Sequence, residues 1–375
     1  MGAAASNPEK CCLHIQQSLE DLAADNAPGL IRENFGMFDA LRSANNTRGF
    51  TAKIKTDAFP GKGKFESGTG VAVRPKLEIE YLKPVKRTAK TSRDGLCVDA
   101  TQSTDPYAYL DVTVDNTRAL DGKMTKDDFD ELCHGPSERL AIDLRNTAHD
   151  LLRAINEQLV TQAYAVMGNY MDGTASGAGA TAKDLPLING AGYINSTAMA
   201  AVKSQYRRMH TSDAPIVVGG DILGIWMDAR TAGGLGPGAL GAAGGDTYKF
   251  GSDIYLDYDV DPVIQTIETD TLSHALTWSP GGLQLLEWYE YVGYKEEIGK
   301  PDYIETTIEI DGVKFDYSLN YDKCTHTWDW ELSKVFDLWA IPDIAFTAGA
   351  AIWPWNRRLA WTLSCGDFDC ANYAI

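Results

Sequence analysis

The chain has few of the features that announce chemistry. Its six histidines, His14, His134, His149, His210, His274 and His326, are scattered, with no HExxH motif and no close pair. There is no GxSxG elbow, and the Gly61-Lys62-Gly63-Lys64 tip has neither the spacing nor the following Ser or Thr of a Walker A loop. Seven cysteines form no pair of CxxC motifs: Cys11 and Cys12 adjoin, and Cys365 and Cys370 bracket Gly-Asp-Phe-Asp. Structural zinc needs two tighter ligand pairs, so these thiols read as reduced and structural. No apolar run approaches the ~18 residues of a membrane-spanning helix. The N-terminus lacks the basic-then-apolar layout of a secretory signal, and an intracellular product is expected. With no set of residues that can be given catalytic roles, the expectation is a chain that is not an enzyme and has no catalytic, cofactor or metal residues.

Basic residues are also scarce, 34 Lys and Arg against 52 Asp and Glu, for a net charge of −18. A body this acidic disfavours general affinity for nucleic acid or an anionic membrane. Residues 48–93 depart from it, with twelve Lys or Arg against four Asp or Glu, a net +8, leaving −26 for the rest. Within that stretch Phe50, Ala52 and Ile54 alternate with Thr51, Lys53 and Lys55. Beyond a Gly-rich tip, Val71, Val73, Leu77, Ile79 and Tyr81 alternate with polar residues. Period two on both sides of a Gly-rich tip predicts a long β-hairpin, and a lone hairpin is marginal in water, so its apolar face needs cover from elsewhere.

Two loops resemble ligand sites and fail on context. Gly236-Pro237-Gly238-Ala239-Leu240-Gly241 matches GxGxxG, but a helix is expected before it and a strand after it, the reverse of a dinucleotide site. Asp257, Asp259, Asp261 and Glu268 occupy positions 1, 3, 5 and 12 of a calcium loop, with Pro262 where the sharp turn needs Gly. The flanks read as strands, so these carboxylates are expected on one solvated strand face; an irregular calcium site stays open.

The remaining chain is a series of unlike segments. A modest amphipathic helix around Leu13–Leu22 precedes a loose Pro-Gly and Asn-rich stretch. A strand is expected at Leu110, Val112 and Val114. Leu140, Leu144, Ala148, Leu151, Ile155, Leu159, Ala163 and Val166 recur at steps of three or four, with Asp143, Arg145, Asp150, Arg153 and Glu157 elsewhere around the helix. This predicts a helix over 137–170, N-capped by Ser137 and roughly 50 Å long at about 1.5 Å per residue. A second helix is expected at 196–209. Ile216-Val217-Val218 reads as a buried strand that turns at Gly219-Gly220-Asp221 into a helix through Arg230, the grammar of an α/β lobe. Gly233–Gly245 is nearly without side chains. Residues 251–345 read as strand-rich and carry twenty Asp or Glu against five Lys, a net −15. Asp311-Gly312, between alternating runs at 304–310 and 313–321, predicts a tight hairpin. Eight of nine tryptophans lie beyond residue 270, which places an aromatic core or interface there.

This order of segments, over roughly residues 20–345, resembles the major capsid (coat) protein family of tailed bacteriophages, whose HK-type fold is shared with encapsulins. Asp316-Tyr317-Ser318-Leu319-Asn320-Tyr321-Asp322 before Cys324 and Trp328, with Phe336-Asp337-Leu338-Trp339, is also similar to the close of some phage capsid sequences. The resemblance implies an α+β chain with an N-terminal arm (1–45) and an extended hairpin loop (46–106). It implies a peripheral domain with its spine helix (107–192), an axial domain with a Gly-rich loop at 233–246 (193–300), and return strands of the peripheral domain (301–345). The C-terminal segment 346–375 has no counterpart. Lys53, Lys55, Lys62, Lys64, Arg74, Lys76, Lys83, Lys86 and Arg87 become inter-subunit contacts of the arm. Gly234, Gly236, Gly238, Gly241 and Gly244 become the loop at the capsomer axis. The implied partners are copies of the chain in hexamers and pentamers, a separate scaffold protein, a portal, decoration proteins, and enclosed double-stranded DNA without sequence-specific contact, with no membrane. The implied location is the virion, assembled in host cytoplasm. No Lys–Asn crosslinking pair is identified. Two other readings stay open: a nucleic-acid-binding protein using basic residues 48–93, and an encapsulin-like compartment shell.

Overall fold

The computed structural model describes residues 35–47, 51–54, 76–82, 107–125, 136–167, 183–187, 195, 198–208, 214–232, 247–248, 252–289, 303–322, 324, 327–341, 344–348, 351–355 and 358–364. In chain order these form α1 (Gly36–Arg42), β1 (Thr51–Ile54), β2 (Lys76–Leu82), β3 (Tyr107–Thr113), β4 (Asn116–Thr125), α2 (Pro136–Val166), β5 (Lys183–Pro186), α3 (Ala198–Arg208), β6 (Ile216–Gly219), α4 (Asp221–Ala232), β7 (Thr247–Tyr248) and β8 (Ser252–Leu256). There follow α5 (Val260–Glu268), β9 (Ser273–Trp278), β10 (Leu283–Trp288), β11 (Tyr303–Ile310), β12 (Val313–Asp322), β13 (Thr327–Ala340), β14 (Ile344–Ala348), β15 (Ala351–Trp355) and β16 (Arg358–Ser364). The architecture is α+β, the class expected. The chain divides into one unit of residues 1–35, 115–159 and 286–337, and a second of 36–114, 160–285 and 338–375.

The first unit is organised by α2. Its predicted stripe is buried from Leu140 and Leu144 through Ala148, Leu151, Ile155 and Leu159, while Arg153 and Glu157 pair on the outside at 3.6 Å. Proline opens the helix, at the position where its missing N–H costs nothing; Ser137 therefore lies inside the first turn and is not the N-cap. The sheet runs β10-β13-β12-β11, with β4 also paired to β13. β11 and β12 pair as predicted, Ile310 opposite Val313 and Ile308 opposite Phe315. The turn uses two left-handed residues, Asp311 (φ 49) and Gly312 (φ 80), the geometry that matches strand twist. β4 carries no clean alternation and was not expected as a strand, and β13 lies within the stretch expected to be strand-rich, without bounds of its own. They pair antiparallel with Gly122 opposite Trp330. A Cβ on Gly122 would lie 2.1 Å from the Trp330 ring, so the indole lies across β4 only because residue 122 has no side chain.

The second unit holds a mixed six-stranded sheet, β5-β16-β9-β6-β8-β7. β6 is buried along its whole length and runs through Gly219-Gly220 into α4, as predicted. Trp226 of α4 and Tyr206 of α3 join Val217, Leu223, Trp361 and Leu363 in one core. The Tyr206 hydroxyl and the Trp361 indole N–H both meet Thr277 Oγ1, at 2.9 and 2.8 Å, so the largest polar atoms of this core satisfy one another. β16 comes from the C-terminal segment and sits inside the sheet, parallel to β5 and antiparallel to β9. Its first residue, Arg358, is buried and donates to the Val166 carbonyl at the end of α2 and to the Ile341 carbonyl. A cation there suits the negative end of the helix dipole.

β1 and β2 pair antiparallel, with Ala52 opposite Ile79, as the hairpin reading requires. β3 then adds to the other edge of β2, a neighbour the sequence did not offer. The strand expected at Leu110–Val114 therefore joins the arm's sheet.

Two further expectations are corrected. Asp257–Asp261 is not a strand with carboxylates on a solvated face. β8 ends at Leu256 and α5 begins at Val260, Asp257 is fully buried, and only Val260 and Ile264 of α5 reach the core. Pro262 falls in the first turn of α5, where a proline is tolerated. The Asn-rich stretch after residue 35 is not loose: α1 buries Met37, Phe38, Ala40 and Leu41.

Candidate functional site

Of the arm residues singled out in sequence, Lys53 sits in β1 at the register position opposite Glu78. Lys76 sits in β2 opposite Thr113. Lys55, Lys62, Lys64, Arg74, Lys83, Lys86 and Arg87 lie outside the described residues, as do Gly234, Gly236, Gly238, Gly241 and Gly244. The same holds for the helix expected at Leu13–Leu22. The Gly-rich loop falls between a helix, α4, and a strand, β7, the order expected.

The structure brings together a set of polar joints that sequence reasoning missed. At the hairpin tip, Asp311 Oδ2 receives Arg145 Nε at 2.9 Å and faces His149 Nε2 at 3.2 Å. Arg145 and His149 are four apart on α2, so one helical face reads one carboxylate. The joint fixes the β11–β12 hairpin on the long helix. A second joint lies near the chain's crossings between units: Arg118 Nε donates to Gln158 Oε1 (2.8 Å), Gln158 Nε2 to Asn116 Oδ1 (2.7 Å), and Asn116 Nδ2 to Asp337 Oδ1 (2.9 Å). These four residues tie β4, α2 and β13 together. Lys334 is the third. Its buried ammonium meets Glu287 at 2.5 Å and the Lys314 carbonyl at 3.0 Å, and lies over the Tyr289 and Phe315 rings. A desolvated cation held by a carboxylate and two π-faces is fully compensated, and removing either charge strands the other.

In the second unit, Asp257 receives the Met37 N–H at 2.6 Å and the Asp259 N–H at 2.9 Å. Asp261 receives the Ser273 hydroxyl and the His274 N–H, both at 2.7 Å. Burial pushes the Asp261 carboxyl up from its ordinary value, against the pull of those two hydrogen bonds. Gly220 makes room for that carboxylate: a Cβ would lie 2.1 Å from Asp261 Oδ2. Two of the four acids that suggested a calcium loop, Asp257 and Asp261, thus hold backbone N–H groups. Among the described residues no group of three or more His, Cys, Asp or Glu is placed to hold a metal ion, and no helix is long and apolar enough to cross a membrane.

Asn46 closes the other end of α1. Its amide donates to the Leu41 and Leu283 carbonyls, both at 2.9 Å, and its oxygen accepts from Trp278 Nε1 (3.0 Å) and the Gly281 N–H (3.1 Å). All four hydrogen-bonding positions of the side chain are filled.

The end of α5 is built differently, toward solvent. Thr269 takes the left-handed conformation (φ 60) and its N–H bonds the Gln265 carbonyl. The Asp270 N–H bonds the same carbonyl at 3.3 Å, and Gln265 Nε2 holds the Leu272 carbonyl at 2.9 Å. Tyr164 of α2 donates to Glu268 at 2.9 Å, and the Asp270 carboxylate lies 3.5 Å from buried His274 Nε2. Burial, the Glu268 bond and the charges of Glu268 and Asp270 together raise the Tyr164 phenol above its usual range. Tyr164 is a neutral donor at any physiological pH.

No family model matches the chain, and no curated protein does. Solved structures similar to it include one from Mycobacterium phage Che8, at TM-score 0.43 and 10% identity over 77% of this chain and 84% of that one. The cyanophage A-1(L) capsid asymmetric unit is similar at TM-score 0.43 and 13% identity, over 70% and 84%. The asymmetric unit of the bacteriophage PhiM1 mature capsid is similar at TM-score 0.42 and 12% identity, over 77% and 82%. The latter two are phage capsids.

Proposed function

We propose that this chain is the major capsid protein of a tailed phage, assembling through hexamers and pentamers into an icosahedral shell around double-stranded DNA. The observation that carries the reading is the threading around α2. A 31-residue helix lies with a sheet whose strands come from just before it and from far downstream. A separate lobe with its own mixed sheet is inserted between them. That is the order the capsid resemblance implies: spine helix, axial lobe, return strands. In this reading the α2 unit is the peripheral domain and the six-stranded unit the axial domain. Residues 46–106 form the extended loop, and 233–246 lie near the capsomer axis.

The charge distribution supports the reading. A +8 arm on a chain that is otherwise −26 gives directional attraction between identical copies and repels wrong registers. An acidic body holds packaged DNA without gripping it. A scaffold protein, a portal and decoration proteins complete the assembly, in the host cytoplasm.

Electron microscopy of the purified chain, alone and co-expressed with a scaffold partner, tests the reading. Uniform closed shells are expected. Persistent monomers under both conditions refute it, and shells holding a protein cargo with no DNA favour the compartment alternative. Within the arm, reversing Lys83, Lys86 and Arg87 to Glu leaves the subunit folded and blocks shell formation. Normal shells from that variant would remove these charges from the lattice contacts. Salt-sensitive DNA binding by the isolated chain would favour the nucleic-acid reading.

A further inference from the structure

The last turn of α5 breaks the local rules for a helix end. A helix C-terminus carries negative partial charge and is stabilised by Lys, Arg or His⁺ in its last turn. Here the last turn has no basic residue; Glu268 and Asp270 stand there instead, and the whole run 251–294 contains eight Asp or Glu with no Lys or Arg. Thr269, β-branched, occupies a left-handed position that glycine or asparagine fills at lower cost. Ile267 and Leu272, on either side of that turn, are 45% and 48% exposed. By local rules the charge pattern, the left-handed threonine and the exposed apolar pair are each unfavourable, although each carboxylate has a partner within the subunit, Tyr164 for Glu268 and His274 with the Leu272 N–H for Asp270. Local rules broken together at one place mark a functional surface.

The surface is also stiff. Gln265 fastens the turn twice through its carbonyl and once through its side chain, and Tyr164 and His274 hold the two carboxylates. Little ordering entropy is left to lose on binding. What fits is a segment with cations around a small apolar side chain. The acid-free stretch richest in cations is residues 83–93, with Lys83, Lys86, Arg87, Lys90 and Arg93 around Val85.

We propose that the α5 end, Ile267 to Leu272, is the landing surface for the cationic segment 83–93 of a second copy of this chain. The proposal rests on the shell reading above and adds to it the receiving surface. Glu268 and Asp270 take the cations, and Ile267 and Leu272 cover Val85. Desolvating such contacts against apolar neighbours strengthens them beyond what exposed ion pairs give.

The test is zero-length carbodiimide coupling on shells grown from a mixture of unlabelled and ¹⁵N-labelled chains, read by mass spectrometry. The expected products join Glu268 or Asp270 to Lys83, Lys86 or Lys90, with both isotopes in one crosslinked peptide pair. Links confined to a single isotope place the segment on its own subunit and overturn the proposal, as does the absence of such links from intact shells. A second arm uses I267S/L272S, both sites being solvent-exposed. The subunit's melting temperature is expected to hold while shell yield falls about tenfold, the loss of two small apolar contacts. Unchanged yield overturns the proposal. If the unaltered chain forms no shells, the capsid reading itself has failed, a result separate from any of these.

Discussion

Asp311 is asked to do two things at once, and a substitution series separates them. Its backbone sits at φ 49 in the hairpin turn, and its carboxylate receives the Arg145 guanidinium at 2.9 Å with His149 beside it. Asparagine tolerates the left-handed backbone and keeps the shape, so D311N removes charge alone. A hydrogen bond to a charged partner contributes about 1.5–3 kcal/mol, and breaking a fully buried ion pair costs about 3–5 kcal/mol. The Asp311 side chain is 29% exposed while that of Arg145 is 4% exposed, so the lower part of the range applies, about 2 kcal/mol. D311A adds roughly 1 kcal/mol for a left-handed residue without a local hydrogen-bonding side chain, about 3 kcal/mol in all. D311G loses the pair but relaxes the turn, and falls with D311N or slightly above it.

Urea unfolding of the isolated subunit, followed by tryptophan fluorescence, measures the series. R145M completes a double-mutant cycle with D311N, and a coupling of about 2 kcal/mol is expected, since the two side chains share one interaction. If D311N lies within about 0.5 kcal/mol of the unaltered chain and the cycle is additive, the joint does not fix the hairpin on α2 and the reasoning is wrong.

Three further outcomes follow from the other joints. Asn46→Ala strands a buried indole N–H and two carbonyls and should destabilise by about 3 kcal/mol, while N46D, which turns a carboxylate toward the Leu41 and Leu283 carbonyls, should do no better; equilibrium unfolding compares them. Thr269→Gly should stabilise the subunit by about 1 kcal/mol by removing a β-branched residue from a left-handed position, read as a rise in melting temperature. Because burial raises the Asp261 carboxyl above its ordinary 3.8, the folded chain holds that proton more tightly than the unfolded chain. Its contribution is therefore full below pH 3.8 and lost as pH rises toward the folded value. D261N escapes this loss, so its stability relative to the unaltered chain should climb with pH from 3.8 upward; a flat or falling difference in unfolding free energy across that window contradicts the assignment.

What was legible in the sequence was legible through periodicity. The α2 stripe, the alternation about Asp311-Gly312 and the strand–turn–helix at 216–230 each repeat a spacing over enough residues for one register to win. The bounds of β13, within the stretch expected to be strand-rich, were hidden because it is paired on both sides and its burial follows no period of two. β16 was hidden for another reason. Its short run Leu359-Ala360-Trp361 acquires meaning only between β5 and β9, which lie about 175 and 85 residues earlier. α5 was misread because its acids drew attention to a strand face. The apolar pair Val260 and Ile264, at helical spacing with Pro262 in the first turn, is the signal that identifies it. Of the candidate site, the one-sign charge of the arm and of 251–345 was readable, but the surface to which an arm can dock was not. The proposed surface depends on Ile267, at the end of α5, and Leu272, beyond it, both lying exposed.

The residues that escaped periodicity share a property that explains both the miss and their use. Arg145, Asn46, Asp257 and Lys334 are polar groups taken out of water, each paired with a partner remote in sequence. Single-sequence patterns score such residues as surface, because in isolation burying them is costly. In the folded chain each is satisfied only when two distant elements meet in one geometry, so an alternative packing leaves a charge or amide stranded. On the proposed shell reading the same contacts recur in every copy, and a small error in one joint would repeat across the lattice. Exacting polar joints inside the subunit would then serve to keep every copy alike.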